Sequence, residues 1–258
     1  MNGIIKLPLV PLRSKDSERS EMTSQLLYGE RVEILETRER WLFVRNIADN
    51  YTGWVDRKMV QILNLDHENI EETVDLYCVS FPIVECLNPE DNETLFLPGG
   101  SKLNILDGNK VQFGGKNYFI DPINLPYSNE KTGEQLVYLA KQYLNAPYLW
   151  GGKTVMGIDC SGFVQVIYDM CGIQLQRDAS QQVEYGKMIN FLSEVEPGDL
   201  AFFENSEGKI IHVGMMLNSH QIIHASGWVK IESIDSQGII SNETGEYSHK
   251  LRVVKRMI

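Results

Sequence analysis

The chain has 258 residues, of which 43% are hydrophobic, 23% charged and 9% aromatic, a composition that belongs to a folded globular protein and excludes a disordered or fibrous one. Its formal net charge of −11, with cations interleaved among acids as at Arg38, Glu39 and Arg40, argues against a nucleic-acid or anionic-membrane partner. No stretch approaches the ~20 apolar residues of a membrane span, and the amino-terminal residues run into Pro8, Pro11 and Arg13 without an apolar signal core, so the expected location is the cytoplasm, or the periplasm or exterior if a signal precedes Met1.

From Ile5 to about Leu63 the apolar residues come in short alternating runs: Leu26 and Leu27, then Val32, Ile34 and Leu35, then Trp41, Phe43 and Val44, then Trp54 and Val55. That pattern predicts a small all-β unit. The series L-L-Y-G-E-R-V-E-I-L, W-L-F-V and Y-T-G-W-V resembles bacterial SH3-like domains, which implies a barrel over residues 1–63. Residues 64–127 continue the β signal in V-D-L-Y-C-V, K-L-N-I-L and K-N-Y-F-I, with turns at Pro98-Gly99-Gly100, Asp107-Gly108 and Gly114-Gly115. A second, divergent barrel is the expectation there.

A polar linker around residues 126–133 gives way to a helical pattern, with Leu136, Leu139, Ala140, Tyr143 and Leu144 recurring at three- and four-residue spacing, and a third domain is expected over 128–258. Next come A-P-Y-L-W-G-G-K and D-C-S-G-F-V-Q-V-I-Y-D-M-C-G. In the latter, Phe163, Val164, Ile167 and Met170 share one helical face and Gly172 stands where a helix ends. Cys160 therefore opens a helix, where unpaired N–H groups and the helix dipole are expected to lower a thiol pKa. Downstream, P-G-D-L-A-F-F reads as a turn delivering a buried strand. K-I-I-H-V-G-M-M-L and Q-I-I-H-A-S-G read as two more strands of the same antiparallel sheet, each with a histidine after a pair of isoleucines. A thiol at a helix start and an imidazole on a facing strand make a nucleophile and its base, and a further imidazole can orient the first. The four cysteines, Cys78, Cys86, Cys160 and Cys171, are too irregularly spaced for a disulfide framework or a zinc site. Cys78 and Cys86 could pair across neighbouring strands, but free buried thiols are the expectation, with no metal and no cofactor.

Taken in order, Y-L-W-G-G, D-C-S-G-F, P-G-D-L-A-F-F, H-V-G-M and I-I-H-A-S resemble the NlpC family of cell-wall cysteine peptidases over roughly residues 133–258. The fold implied is two small SH3-like barrels followed by an α+β, papain-like catalytic domain. With the amino-terminal domains, the chain resembles the γ-D-glutamyl-L-diamino acid endopeptidases that trim murein peptides. That resemblance implies Cys160 as nucleophile, His212 as base and His224 as the third polar residue. It also implies that Asp178, in L-Q-R-D-A-S-Q-Q, binds the free amine of an amino-terminal L-Ala, with Glu21 and Tyr51 of the first barrel as the amine-facing wall. Asp159 and Ser161 either cap the helix or touch substrate, and Tyr148 and Trp150 either line the cleft or pack beneath it. His67, His220 and His249 read as ordinary surface residues. The expected partner is a small murein peptide, with the protein itself a monomer. A cell-wall binding protein with a vestigial catalytic domain, or a Cys-His amidase or acyltransferase, is the alternative.

Overall fold

The computed structural model describes residues 1–63, 77–113, 116–121 and 131–258. The expected domain junctions near residues 64 and 128, the Gly114-Gly115 turn and His67 lie outside the described residues. The chain divides into two units, Met1–Ser128 and Asn129–Ile258.

The first unit begins with β1 (Asn2–Ile5), β2 (Leu9–Arg13), β3 (Met22–Leu27), β4 (Arg31–Thr37), β5 (Trp41–Asn46), β6 (Thr52–Asp56) and β7 (Val60–Leu63), which form one antiparallel sheet in the order β3-β2-β6-β5-β4-β1-β7. Alternation is what buries it: Val32 and Ile34 of β4 point inward and join Ile5, Val10, Leu12, Leu26, Leu42, Val44, Val55 and Val60 in one core. Glu30 is absorbed by the β3–β4 turn, its Oε2 accepting the Leu27 N–H at 2.9 Å.

The same unit continues with β8 (Tyr77–Cys78), β9 (Ile83–Asn88), β10 (Glu93–Pro98), β11 (Lys102–Leu103), β12 (Ile105–Asp107), β13 (Lys110–Phe113) and β14 (Lys116–Ile120). Five of these make a sheet in the order β10-β9-β14-β13-β12, and β8 pairs with β11. Strict alternation along β9 buries Val84, Cys86 and Asn88, and the first two enter a separate core with Val79, Leu97, Leu103, Val111, Tyr118 and Ile120. Tyr28, from the turn after β3, reaches this second sheet, donating to the Gln112 carbonyl at 3.0 Å and packing its ring on Phe113.

The second unit opens with α1 (Gly133–Lys141), a hairpin of β15 (Lys153–Thr154) and β16 (Gly157–Ile158), α2 (Cys160–Met170) and the short α3 (Ala179–Gln182). It ends with β17 (Lys187–Ile189), β18 (Leu200–Glu204), β19 (Ile210–Asn218), β20 (Gln221–Ser226), β21 (Trp228–Ile234), β22 (Gly238–Ile240) and β23 (Tyr247–Arg256). Thr132 caps α1 by accepting the Gln135 N–H, and Leu136, Leu139 and Ala140 form its buried stripe, whereas Tyr143 and Leu144, expected on the same helix, lie in the turns beyond it, Tyr143 buried and Leu144 exposed. Every residue of α2 except Asp169 is buried, so this helix lies inside the unit with no solvated face. It ends as expected at Gly172, with the Ile173 N–H returning to the Tyr168 carbonyl at 2.9 Å.

The sheet runs β17-β23-β18-β19-β20-β21-β22, and β22 pairs again with β23, so six of the strands close on themselves. Ala201, Phe203, Met216, Ile222, Ile234, Ile239 and Val254 fill the inside. The alternate residues Phe202, Val213, Met215 and Ile223 are buried too, and α2 packs against β19 and β20. At roughly 1.5–3 kcal/mol for each fully buried large apolar side chain, both faces of β19 and β20 are held firmly.

Candidate active site

Asp159 begins the site. Its side chain caps α2, with Oδ1 accepting the Gly162 N–H at 2.7 Å and Oδ2 accepting the Gly151 N–H at 2.8 Å. The carboxylate is buried, and its charge is met by Arg177, itself only 1% exposed: Nη2 donates to Oδ2 at 2.6 Å and Nη1 to Oδ1 at 3.1 Å. Arg177 Nη1 also donates to Ser161 Oγ at 2.9 Å, and Ser161 Oγ donates to Asp159 Oδ1 at 3.3 Å. Gln182 Nε2 reaches the Ser161 carbonyl at 3.1 Å. The L-Q-R-D-A-S-Q-Q segment is thus tied to the start of α2 at both ends. Gly162 is required by space, since a Cβ there would stand 2.3 Å from the Gly152 carbonyl oxygen.

Cys160 sits at the first position of α2 and is 7% exposed. Burial pushes its thiol up to about 11, the Asp159 charge adds to this, and the N–H groups of Val213 and Ser161, which face the sulfur, work the other way together with Arg177. This corrects the expectation that the helix start alone lowers the thiol pKa: at a site closed to water, loss of solvation outweighs a helix end. The Val213 contact also puts the sulfur against β19 beside His212. Tyr148 is close enough to feel the same charges, its phenol pushed up to about 12 by burial, by Cys160 and by Asp159.

On β19 and β20, His212 and His224 point to the inside of the closed sheet. His212 Nε2 lies 2.9 Å from His224 Nδ1, and His224 Nε2 lies 2.9 Å from Glu232 Oε2. His224 and Glu232 are 0% and 2% exposed. Gly214, the neighbour of His212 on this face, makes the pairing possible, because a Cβ there would stand 2.8 Å from His224 Cβ and 2.7 Å from Ile222 Cδ1. Burial, with the neighbouring His224 and His249 rings, lowers the His212 pKa well below its usual 6.5. Burial opposes the charge of Glu232, but His224, the Asn242 N–H and Lys230 outweigh it and hold that carboxyl at about 2.

Two of these groups escape the sequence reading. His249, expected at the surface, stacks on His212 with ring centroids 4.2 Å apart and planes 27° from parallel; burial lowers its pKa to about 4. Glu232 looks like a solvated strand charge in W-V-K-I-E-S-I, yet alternation puts it on the same face as Ile234, which is the signal that it points inward.

The other expected residues are distributed as follows. Trp150 is 62% exposed rather than core, and Tyr148 is half-buried. Asp178 begins α3, its N–H donating to Gln181 Oε1 at 3.1 Å. Glu21 and Tyr51 belong to the first unit: Glu21 is exposed before β3, and Tyr51 packs against the first core. All four cysteines are free. Among the described residues, no cluster of acids, histidines and cysteines has the makings of a metal site, and no helix is long and apolar enough to cross a membrane.

Residues 145–247 match the NlpC/P60 family, and residues 12–59 match the bacterial dipeptidyl-peptidase SH3 domain. The chain is 27% identical over 217 residues to a gamma-D-glutamyl-L-lysine dipeptidyl-peptidase of Bacillus subtilis (strain 168), covering 78% of this chain and 71% of that protein. It is 37% identical over 109 residues to a probable endopeptidase NlpC of Escherichia coli (strain K12), covering 39% of this chain and 70% of that one. The crystal structure of an NlpC/P60 family protein from Bacillus cereus ATCC 10987 superposes with a TM-score of 0.85 at 19% identity, over 100% of this chain and 99% of the other, a likeness of fold.

Proposed function

The chain belongs to the NlpC/P60 family of cysteine peptidases, with an SH3-like domain at its amino-terminal end, and we propose that it hydrolyses the γ-D-glutamyl-L-diamino acid bond of murein peptides that carry a free amino-terminal L-Ala. The observation that carries this reading is the thiol of Cys160 at the start of α2, lying against the β19 backbone beside a pair of hydrogen-bonded imidazoles.

In this reading Cys160 is the nucleophile and His212 the base, and both start neutral: the thiol because burial raises its pKa, the imidazole because burial lowers its own. The sulfur attacks the γ-carbonyl of D-Glu as His212 takes the thiol proton. The imidazolium then gives that proton to the departing amine of the diamino acid, leaving a thioester on Cys160. Water, deprotonated by His212, attacks the thioester, releases the γ-carboxylate and restores the thiol. His224 holds the His212 ring in place. Asp159 and Ser161, whose polar atoms are engaged by Arg177, build the helix start. Tyr148 and Trp150 line the cleft.

Asp178, in the segment tied to the start of α2, receives the free amine. A carboxylate built to meet a cation loses its partner when the amine is acylated, so such a site rejects N-blocked peptides. Support comes from the dipeptidyl-peptidase relatives and from the bonds of Arg177 and Gln182, which flank Asp178, to the start of α2. We further read the segments 1–63 and 64–127 as two SH3-like barrels and 128–258 as a papain-like domain, a reading supported by the two separate β cores and by a helix-borne thiol packed on an antiparallel sheet. The free thiols suit a reducing, cytoplasmic setting.

The test is incubation with L-Ala-γ-D-Glu-L-Lys and its diaminopimelate counterpart, each with a free and an acetylated amine, followed by mass spectrometry. Cleavage of the free-amine peptides alone is expected. No cleavage of either free-amine peptide overturns the substrate, and equal cleavage of free and acetylated forms removes the amine pocket.

A further inference from the structure

The two oxygens of Glu232 are used differently. Oε1 accepts the Asn242 N–H at 2.9 Å and lies 3.4 Å from Lys230 Nζ, whereas Oε2, among the described residues, faces only His224 Nε2, at 2.9 Å. We propose that Glu232 is a positioning residue that dictates, through His224, which nitrogen of His212 carries the proton. The inference rests on the assignment of Cys160 and His212 as nucleophile and base.

An ionised carboxylate only accepts hydrogen bonds, so His224 Nε2 must be the donor of its pair. A neutral imidazole that donates from Nε2 has a bare Nδ1, and that atom accepts from His212 Nε2. The proton of His212 is then fixed on Nε2, and its lone pair is fixed on Nδ1, the nitrogen left to take the proton of a thiol. Burial keeps the His212 and His249 rings uncharged near neutral pH, and the rings of His212, His224 and His249 crowd within 4.2 to 5.8 Å of one another. His249 takes no part in the relay, its Nδ1 engaged by Ser248 Oγ at 2.9 Å while its ring covers the face of His212.

Glu232→Gln tests the idea because the surroundings decide how the amide must lie. The Asn242 N–H and the Lys230 ammonium are both donors, so the amide oxygen takes the Oε1 position and the NH2 group is turned toward His224 Nε2 as a donor. The relay inverts: His224 Nδ1 becomes the donor, and His212 carries its proton on Nδ1, where no lone pair remains for the thiol. Wrong-tautomer substitutions in hydrolytic triads lower turnover by about 10⁴-fold; one residue further from the base, a fall in kcat on the order of 10³-fold with KM within about threefold is expected. ¹⁵N-detected imidazole spectra of the full chain should show His212 protonated on Nε2 in the wild type and on Nδ1 in Glu232→Gln. The rate at which iodoacetamide alkylates Cys160, read by peptide mapping to separate it from the other thiols, should fall in parallel.

The wild-type spectrum decides the matter even where the variant does not fold, since a proton on His212 Nδ1 overturns the proposal outright. So does a Glu232→Gln protein that loses turnover while His212 keeps its Nε2 proton, because the role of Glu232 is then structural. Alkylation and spectra need no substrate, so a wrong choice of peptide leaves them untouched, whereas a Cys160→Ala protein that still turns over substrate removes the underlying assignment.

Discussion

Arg177→Met is the perturbation that most directly measures what holds the thiol in place. It keeps an unbranched side chain of similar length but deletes a guanidinium that donates to both oxygens of Asp159, at 2.6 and 3.1 Å, and to Ser161 Oγ at 2.9 Å. Removing one partner of a buried ion pair costs ~3–5 kcal/mol, mostly for the charge left behind. Asp159 keeps two N–H donors, from Gly151 and Gly162, so the lower part of that range applies, about 3 kcal/mol. Asp159→Asn fares worse, about 4 kcal/mol, because wherever its amide points an NH2 meets a donor, either Arg177 or a backbone N–H. The double variant leaves neither charge buried and should return to within about 1–2 kcal/mol of the wild type, giving a coupling energy of several kcal/mol. Calorimetry of the full chain reads this as a fall of roughly 10 °C in the transition of the second unit for each single variant, at 2–4 °C per kcal/mol, and partial recovery for the double. A single-variant loss below about 1 kcal/mol, or a double variant no more stable than Asp159→Asn, would refute the view that the pair sets the start of α2.

Gly214→Ala puts a methyl group 2.8 Å from His224 Cβ, and because His224 is anchored at both nitrogens the ring must tilt; turnover should drop about tenfold or more with about 1–3 kcal/mol of stability, and wild-type kinetics would show that the ring has room to move. In kcat/KM against pH, the acid limb should lie below pH 6.5, because His212 must be neutral to accept a proton and its pKa is depressed. No further rise is expected near pH 8.5, where an ordinary thiol ionises, since Cys160 titrates at about 11. A limb at or above pH 6.5 contradicts this assignment. Stability carries the matching sign: His212 and His249 have folded pKa values below their unfolded ones, so between pH 6.5 and about 4 the unfolded chain binds protons that the folded chain refuses, and stability falls as pH falls. His249→Phe, which keeps the stacked ring, should flatten that slope by up to one proton in urea unfolding series; an unchanged slope would mean that His249 is not the titrating group.

The sequence reveals the parts of this site that are local. Cys160 declares its position because Phe163, Val164 and Ile167 fix the helix that follows, and His212 and His224 declare theirs because paired isoleucines mark buried strands. What stays hidden depends on closure of the sheet. His249 is preceded by polar residues and reads as surface until β23 pairs with both β18 and β22 and turns it onto His212. Glu232 reads as a solvent-facing charge until β21 is found with its alternate residues inside. Arg177 is obscured by its neighbour: an Arg-Asp pair invites attention to the acid, whereas the guanidinium is the buried member. The thiol pKa shows the limit most clearly, since a helix start is visible in the sequence and the burial that outweighs it is not. The second β sheet is suggested by short apolar runs and turn residues, which mark strands and where they end without saying which strands pair.

Closure by β23 also sets the order in which the reactive centre comes into being. The strands bearing His212 and His224 are joined by a tight turn, Asn218 standing opposite Gln221, and contacts this local form early. The pairing of Phe203 with Leu251, by contrast, waits for a long loop to close, and only then does His249 cover the His212 ring. A chain whose β23 has not yet docked therefore holds two neighbouring imidazoles without the stacked ring that buries them, and the last strand to pair is the one that finishes their enclosure.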